Sequence, residues 1–268
     1  MLNTATAAAL KAGKLISHQT QRIDQVVIDK KESNDFVSDV DRAAEAEIFN
    51  TLKRAYPDHG ITGEEGSAIN PDAEYQWVID PLDGTTNFLY GVPHFAVSIA
   101  VKYRGRLEHA VVYDPTLDEL FTASRGDGAR LNNRRIRVAN RRSMSGALMA
   151  TGIPFREGQM ELLDTYLKTM KAMIPGTAGM RRQGSAALDL AYVAAGRYDG
   201  FWEFDLKPWD TAAGALLVQE AGGLVGDLQG GSQHLETGNI VAASPKVFKE
   251  MLQRLHPIMS VQQAEKEE

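Results

Sequence analysis

Between Gln76 and Val138 the apolar residues fall at every second position: Phe95, Val97, Ile99 and Val101 alternate with small or polar neighbours. A period of two places successive side chains on opposite faces, so this stretch reads as strands with a buried face. Leu107 to Val112 follows Arg104-Gly105-Arg106, and Glu119 to Ala123 follows Pro115-Thr116; breaks of that kind predict an antiparallel meander. On either side the spacing becomes helical. Asn3 to Gln19 and Ser38 to Ala55 are expected as helices, the second closed by Tyr56-Pro57. Beyond the meander, helical and strand-like segments alternate: Glu161 to Met173, Ser185 to Ala195, Gly200 to Glu203, Thr211 to Ala221, Asn239 to Ala243 and Lys246 to Leu255. This is a layered α/β or α+β pattern. Residues 1–142 are expected to form helices plus an antiparallel sheet, residues 143–260 an α/β part, and residues 261–268 a disordered tail.

A chain of 268 residues has room for one large domain or two that share an interface. No apolar run approaches the roughly 20 residues that span a bilayer, and the first 20 or so residues lack a signal-like block. A soluble, unexported, cytoplasmic protein with no membrane partner is expected. With no cysteine at all, disulfide frameworks, thiolate metal sites and thiol nucleophiles are excluded. The net charge of −6 argues against a protein built mainly to hold nucleic acid by its phosphates.

The candidate chemistry lies in Trp77-Val-Ile-Asp-Pro-Leu-Asp-Gly-Thr-Thr-Asn-Phe88. Asp80-Pro81-Leu82-Asp83 reads as a β-turn, which would bring its first and fourth residues within about 7 Å. Two carboxylates so placed repel, and a divalent cation removes the conflict. Oxygen ligands without nearby histidine or cysteine suit Mg²⁺ or another hard ion. Gly84, Thr85 and Thr86 then lead into a helical turn whose free N–H groups could hold an anion. Asp and Thr are also ordinary turn and cap residues, so both readings stand at this point. Further acidic positions occur in three other contexts. Glu64 and Glu65 are bracketed by glycines, Asp210 is placed as an N-cap for the helix after it, and Ser38 with Asp41 fits a capping box.

Taken together, Gly63-Glu64-Glu65, Asp80-Pro-Leu-Asp-Gly-Thr-Thr86 and Trp209-Asp210 followed by Ala-Ala-Gly resemble the inositol monophosphatase family over nearly the whole chain. Arg181-Arg-Gln-Gly-Ser-Ala-Ala-Leu-Asp-Leu-Ala-Tyr192 is similar to its bacterial branch. The resemblance implies a five-layer αβαβα sandwich of the sugar phosphatase type, a homodimer, lithium sensitivity and two or three Mg²⁺ ions per site. It implies that Glu64, Asp80 and the Leu82 carbonyl hold one ion, and Asp80, Asp83 and Asp210 a second. It also implies that Thr85, supported by Asp41, lies beside the attacking water, and that the N–H groups of Gly84 and Thr85 bind phosphate. Substrate contacts would come from Asp83, Ser185, Ala186, Glu203 and Asp210; for Ser185 the side chain reads as a plain N-cap, so Ser185→Ala is expected to do little.

The implied reaction is hydrolysis of a myo-inositol 1-phosphate type monoester by metal-activated water, without a phospho-enzyme. Related enzymes with the same metal set act on fructose 1,6-bisphosphate, histidinol phosphate, 3′-phosphoadenosine 5′-phosphate or NADP. The acidic Glu203 disfavours a second phosphate and leans toward neutral polyols. Asp205 stands where many bacterial relatives have glycine, which leaves the shape of that loop open. Arg125, Arg130, Arg134, Arg135, Arg137, Arg141 and Arg142 crowd a short hairpin region. A solvated, salt-bridged face is favoured for them over a patch for RNA or transcription machinery. No Gly-x-Ser-x-Gly, His-Glu-x-x-His or phosphate-loop motif is present, and the six histidines are scattered without ligand spacing.

Overall fold

Helical spacing at the start of the chain forms α1 (Leu2–Thr20) and α2 (Asp39–Ala55), with β1 (Ile28–Glu32) and β2 (Asp35–Ser38) paired between them. This is a computed structural model, and it describes residues 1–20, 22, 26, 28–32 and 35–267. Ser38 and Asp41 form the expected capping box on α2.

The alternating stretch forms the expected meander. After β3 (Gly60–Gly63) and β4 (Ala68–Ile69) come β5 (Tyr75–Asp83), the short α3 (Thr85–Leu89), β6 (Ala96–Tyr103), β7 (Arg106–Asp114), β8 (Glu119–Ser124), β9 (Gly128–Leu131) and β10 (Arg134–Arg135). Strands β5 to β10 pair antiparallel in chain order, and β3 joins β5 in parallel, with β4 at the far edge. Alternation here separates large from small residues. Val97, Ile99 and Val101 pack with α1 and α2, whereas Ala96, Ala100, Ala110 and Ala123 line the opposite face. Both faces are buried, and the alanine face lets helices approach closely.

The second half supplies β11 (Leu148–Thr151), a 3-10 turn at Glu157–Leu162, α4 (Leu163–Met173), β12 (Gly179–Arg181), α5 (Ala186–Ala194), β13 (Gly200–Glu203), α6 (Pro208–Glu220), β14 (Leu224–Gly226), α7 (His234–Thr237), β15 (Ile240–Ala243) and α8 (Pro245–Glu267). Its sheet runs in the order β12-β11-β13-β15-β14. Helices α5 and α6 lie between the two sheets and share one core with both. Helices α4 and α8 cover the outer face of the second sheet. The result is the expected five-layer αβαβα sandwich. The chain passes from one sheet to the other near Ser143, although the α5–α6 core belongs to both.

Three local expectations are corrected. Asp80 to Asp83 is no turn: Asp80 pairs with Ser98 and Asp83 with Ala96, so one extra residue bulges from β5 against β6. Helix α6 begins at Pro208, which puts Asp210 at its third position and not at the N-cap. Helix α8 carries on past Pro257 through residues expected as a disordered tail. Val247, Met251, Leu255 and Met259, spaced by four, anchor it on the sheet across the proline. Among the described residues, no helix is long and apolar enough to cross a membrane.

Candidate functional site

The end of β5, the start of α3, the N-termini of α5 and α6 and the end of β13 open onto one cavity of about 330 Å³. The β5 bulge turns two carboxyls toward it. Asp80, 1% exposed, accepts the Leu82 N–H at 2.9 Å. Asp83 Oδ2 accepts the Ser185 hydroxyl at 2.6 Å and the Ala187 N–H at 2.7 Å, in the first turn of α5. Asp210 Oδ2 accepts the Lys207 N–H at 2.7 Å, which orients it at the start of α6. Oxygen atoms of Asp80, Asp83 and Asp210 lie within 4.8 Å of one another.

Glu64 lines the same cavity and its N–H donates to Ile79 O at 3.1 Å. Glu45, which the sequence did not single out, shapes that turn: its buried carboxylate accepts the N–H groups of Glu65 at 2.8 Å and Ser67 at 2.9 Å.

Such crowding is costly for four negative charges. Burial, then the charges of Glu64, Asp83 and Asp210, raises Asp80 well above the usual carboxylate range. Burial, then Asp83 and Glu64, does the same to Asp210. Asp83 is pushed up by burial to about 6, held back by its bonds from Ser185 and Ala187. Hard, all-oxygen donors at this spacing fit a divalent cation, whose charge would return the carboxyls to their ionised form. Leu82 lines the cavity too, and its carbonyl lies 3.1 Å from Thr85 Oγ1.

Asp41 is fully buried and stands outside the lining. Thr85 Oγ1 reaches it at 2.9 Å, so the capping residue of α2 also holds the threonine that faces the aspartates. Gly84, with φ of 97°, precedes α3 in a left-handed conformation; a Cβ there would lie 3.1 Å from the His94 carbonyl and 3.2 Å from that of Gly184.

Across the cavity, Ser185 caps α5 by accepting the Leu188 N–H at 3.3 Å, and Ala186 starts the helix. The serine therefore has two functions, a cap and a donor to Asp83, where the sequence showed only the first. Glu203 lies flat against Gly152, where a Cβ would sit 1.7 Å from its Oε1. Burial raises it to about 8 against the opposing pull of Arg182. Asp205 adopts φ of 54°, the left-handed region where glycine fits most easily, and its N–H donates to Asn239 Oδ1 at 3.2 Å.

Asn87, Arg156, Arg182 and Asp189 also line the cavity and were not foreseen. Asn87 Nδ2 donates to the carbonyls of His94 and Gln183, both at 2.7 Å, tying the α3 turn to the approach of α5. Its place after the Gly-Thr-Thr run was a signal; the two arginines had none in local spacing. Of the arginine-rich region, Arg125 pairs with Glu108 at 3.6 Å and Arg141 with Asp199 at 2.8 Å. Arg130, Arg134 and Arg135 are exposed on β9 and β10 at the sheet edge.

Against known proteins, the model of the inositol monophosphatase family matches residues 1–260. The chain belongs to that family. It is 58% identical to the Nus factor SuhB of Pseudomonas aeruginosa over 260 residues, 96% of each protein. Among solved structures, the extragenic suppressor protein suhB of Bartonella henselae superposes with a TM-score of 0.91 at 44% identity, covering 94% of this chain and 97% of that one. An inositol monophosphatase from Anabaena superposes with a TM-score of 0.84 at 36% identity, covering 96% and 95%. The layered sandwich is thus that of the inositol monophosphatases, and the acidic cluster lies in a family typically dependent on metal.

Proposed function

We propose that the protein is a Mg²⁺-dependent phosphatase that hydrolyses an inositol monophosphate of the myo-inositol 1-phosphate type to inositol and phosphate. The observation that carries this reading is the Asp80, Asp83 and Asp210 cluster, within 4.8 Å, facing Glu203 and the N-terminus of α5 across one cavity. Asp80, Asp83, Asp210, Glu64 and the Leu82 carbonyl would hold two or three Mg²⁺ ions. When bound, the ions supply neutralisation of the phosphoryl charge and acidify the attacking water.

The chain's own groups do the rest. The N–H groups of Gly84 and Thr85, at the start of α3, receive phosphate oxygens, since the first N–H groups of a helix lack internal acceptors. Thr85 Oγ1, fixed by Asp41, orients water for in-line attack, so no phospho-enzyme is needed. Glu203 and the backbone at Ala186 bind ring hydroxyls, and Ser185 keeps Asp83 oriented. Closing around a neutral polyol suits an acidic wall better than a second phosphate would. Lithium inhibition, a homodimer and a cytoplasmic setting accompany this reading.

Phosphate release from myo-inositol 1-phosphate, with and without Mg²⁺ and lithium, tests it beside fructose 1,6-bisphosphate, histidinol phosphate, 3′-phosphoadenosine 5′-phosphate and NADP. Strong Mg²⁺-dependent turnover of the inositol ester is expected. Preference for another ester would move the substrate, and turnover of none would sink the reading.

A second role is favoured by two observations. The 58% identical relative carries the name Nus factor, and exposed Arg130, Arg134 and Arg135 form a basic edge on an acidic chain. We infer an association with transcription machinery that does not depend on catalysis. Capture of transcription factors by the wild type and equally by Asp83→Asn would support it; capture by neither would remove it.

A further inference from the structure

Helix α5 is buried along its whole length, and its sequence Ala-Ala-Leu-Asp-Leu-Ala-Tyr-Val-Ala contains a single charged residue, Asp189. That carboxyl is 1% exposed, yet it lines the cavity. Its Oδ1 is buried and makes no hydrogen bond. Polar groups in such surroundings are ordinarily paired, and a carboxyl without a partner destabilises the fold compared with an apolar residue. The groups acting on it are Glu203, Asp83 and Arg182, and Arg182 forms no ion pair among the described residues.

Asp189 stands apart from the cation cluster, whose mutually close oxygens belong to Asp80, Asp83 and Asp210. It shares its wall with Glu203. Burial is the main cause that raises both, which favours the protonated form, and a protonated carboxyl can donate as well as accept. A ligand hydroxyl is the complement of such a group, being itself donor and acceptor. A second cation or anion is not.

We propose that Asp189 is a specificity-determining residue, whose unpaired Oδ1 hydrogen-bonds a hydroxyl on the alcohol half of the substrate beside one bound by Glu203. The site thereby selects phosphate esters of polyols with adjacent hydroxyls over esters of alcohols that carry none. This rests on the phosphatase reading and extends it to a residue outside the metal and phosphate sites.

The test compares wild type, Asp189→Ala and Asp189→Asn on myo-inositol 1-phosphate and on p-nitrophenyl phosphate, whose alcohol half has no further hydroxyl. In Asp189→Ala the ratio of kcat/KM for the first ester to that for the second falls about tenfold, through KM, and Asp189→Asn, which keeps Oδ1, restores most of it. Calorimetric titration with myo-inositol 1-phosphate shows the same loss and rescue in affinity. An equal loss on both esters indicates a structural role and overturns the proposal while the phosphatase reading stands. Turnover of neither ester by the wild type sinks that reading, and calorimetry then decides alone: wild-type affinity in Asp189→Ala, or no binding by the wild type, overturns the role of Asp189.

Discussion

Replacing Asp80 by asparagine should make the protein more stable in a chelator and less responsive to Mg²⁺. Asp80 is 1% exposed and has carboxyl oxygens of Asp83 and Asp210 within 4.8 Å. Two full charges at that separation cost about 3.5 kcal/mol at an effective dielectric constant of 20. The cluster escapes part of this by taking up protons, which leaves a relief of about 1–3 kcal/mol on neutralising Asp80. Asparagine keeps the Oδ1 that accepts the Leu82 N–H, so the bulge is preserved. At about 2–4 °C per kcal/mol for a chain of this size, the variant should melt roughly 2–12 °C higher in EDTA. Wild type at Mg²⁺ a hundredfold above its dissociation constant should gain about 2.7 kcal/mol, and the variant little of it. Thermal melts of both proteins in EDTA and across a Mg²⁺ series read both effects. A variant melting below wild type in EDTA, with an undiminished Mg²⁺ shift, would refute the account of the cluster.

Asp83→Asn should lower phosphatase kcat by a hundredfold or more while leaving circular dichroism unchanged; near-normal turnover would refute the cation assignment. Ser185→Ala removes a hydroxyl that both caps α5 and donates to Asp83, so kcat should fall about tenfold, in contrast to the silence expected from sequence. Gly84→Ala forces a Cβ into a left-handed position 3.1 Å from the His94 carbonyl; a loss of about 1–3 kcal/mol in urea unfolding is expected. Raised carboxyls bind more protons folded than unfolded, so they favour the folded state fully below an unfolded pKa of about 4. In chelator that stability should be lost as pH rises through Asp83 near 6 and Glu203 near 8, and a denaturation series from pH 4 to 9 that rose instead would contradict the sign.

The meander was legible because strand periodicity is a local property: Val97, Ile99 and Val101 declare a buried face by themselves. The α2 capping box was legible for the same reason, as it is closed within four residues. Asp80 and Asp83 were read correctly as facing one place but through the wrong geometry. The strand partner decides whether Asp-Pro-Leu-Asp turns or bulges, and β6 supplies one residue, Val97, opposite Pro81 and Leu82. Likewise Pro257 does not end α8, because contacts with the second sheet outweigh a local break.

Sequence alone therefore determined the element types, the acidic and glycine-bracketed motifs, and the family they resemble. Tertiary structure decided which groups meet: Ser185 on Asp83, Asp41 on Thr85, Glu45 on the Glu65 N–H, and Asp189 Oδ1 unpaired in the cavity wall. The physical reason is range. Periodicity, caps and turns act over a few residues and leave a local signature, whereas the charge and hydrogen bonding of a buried carboxyl depend on neighbours that only the stacking of two sheets around α5 and α6 brings within reach.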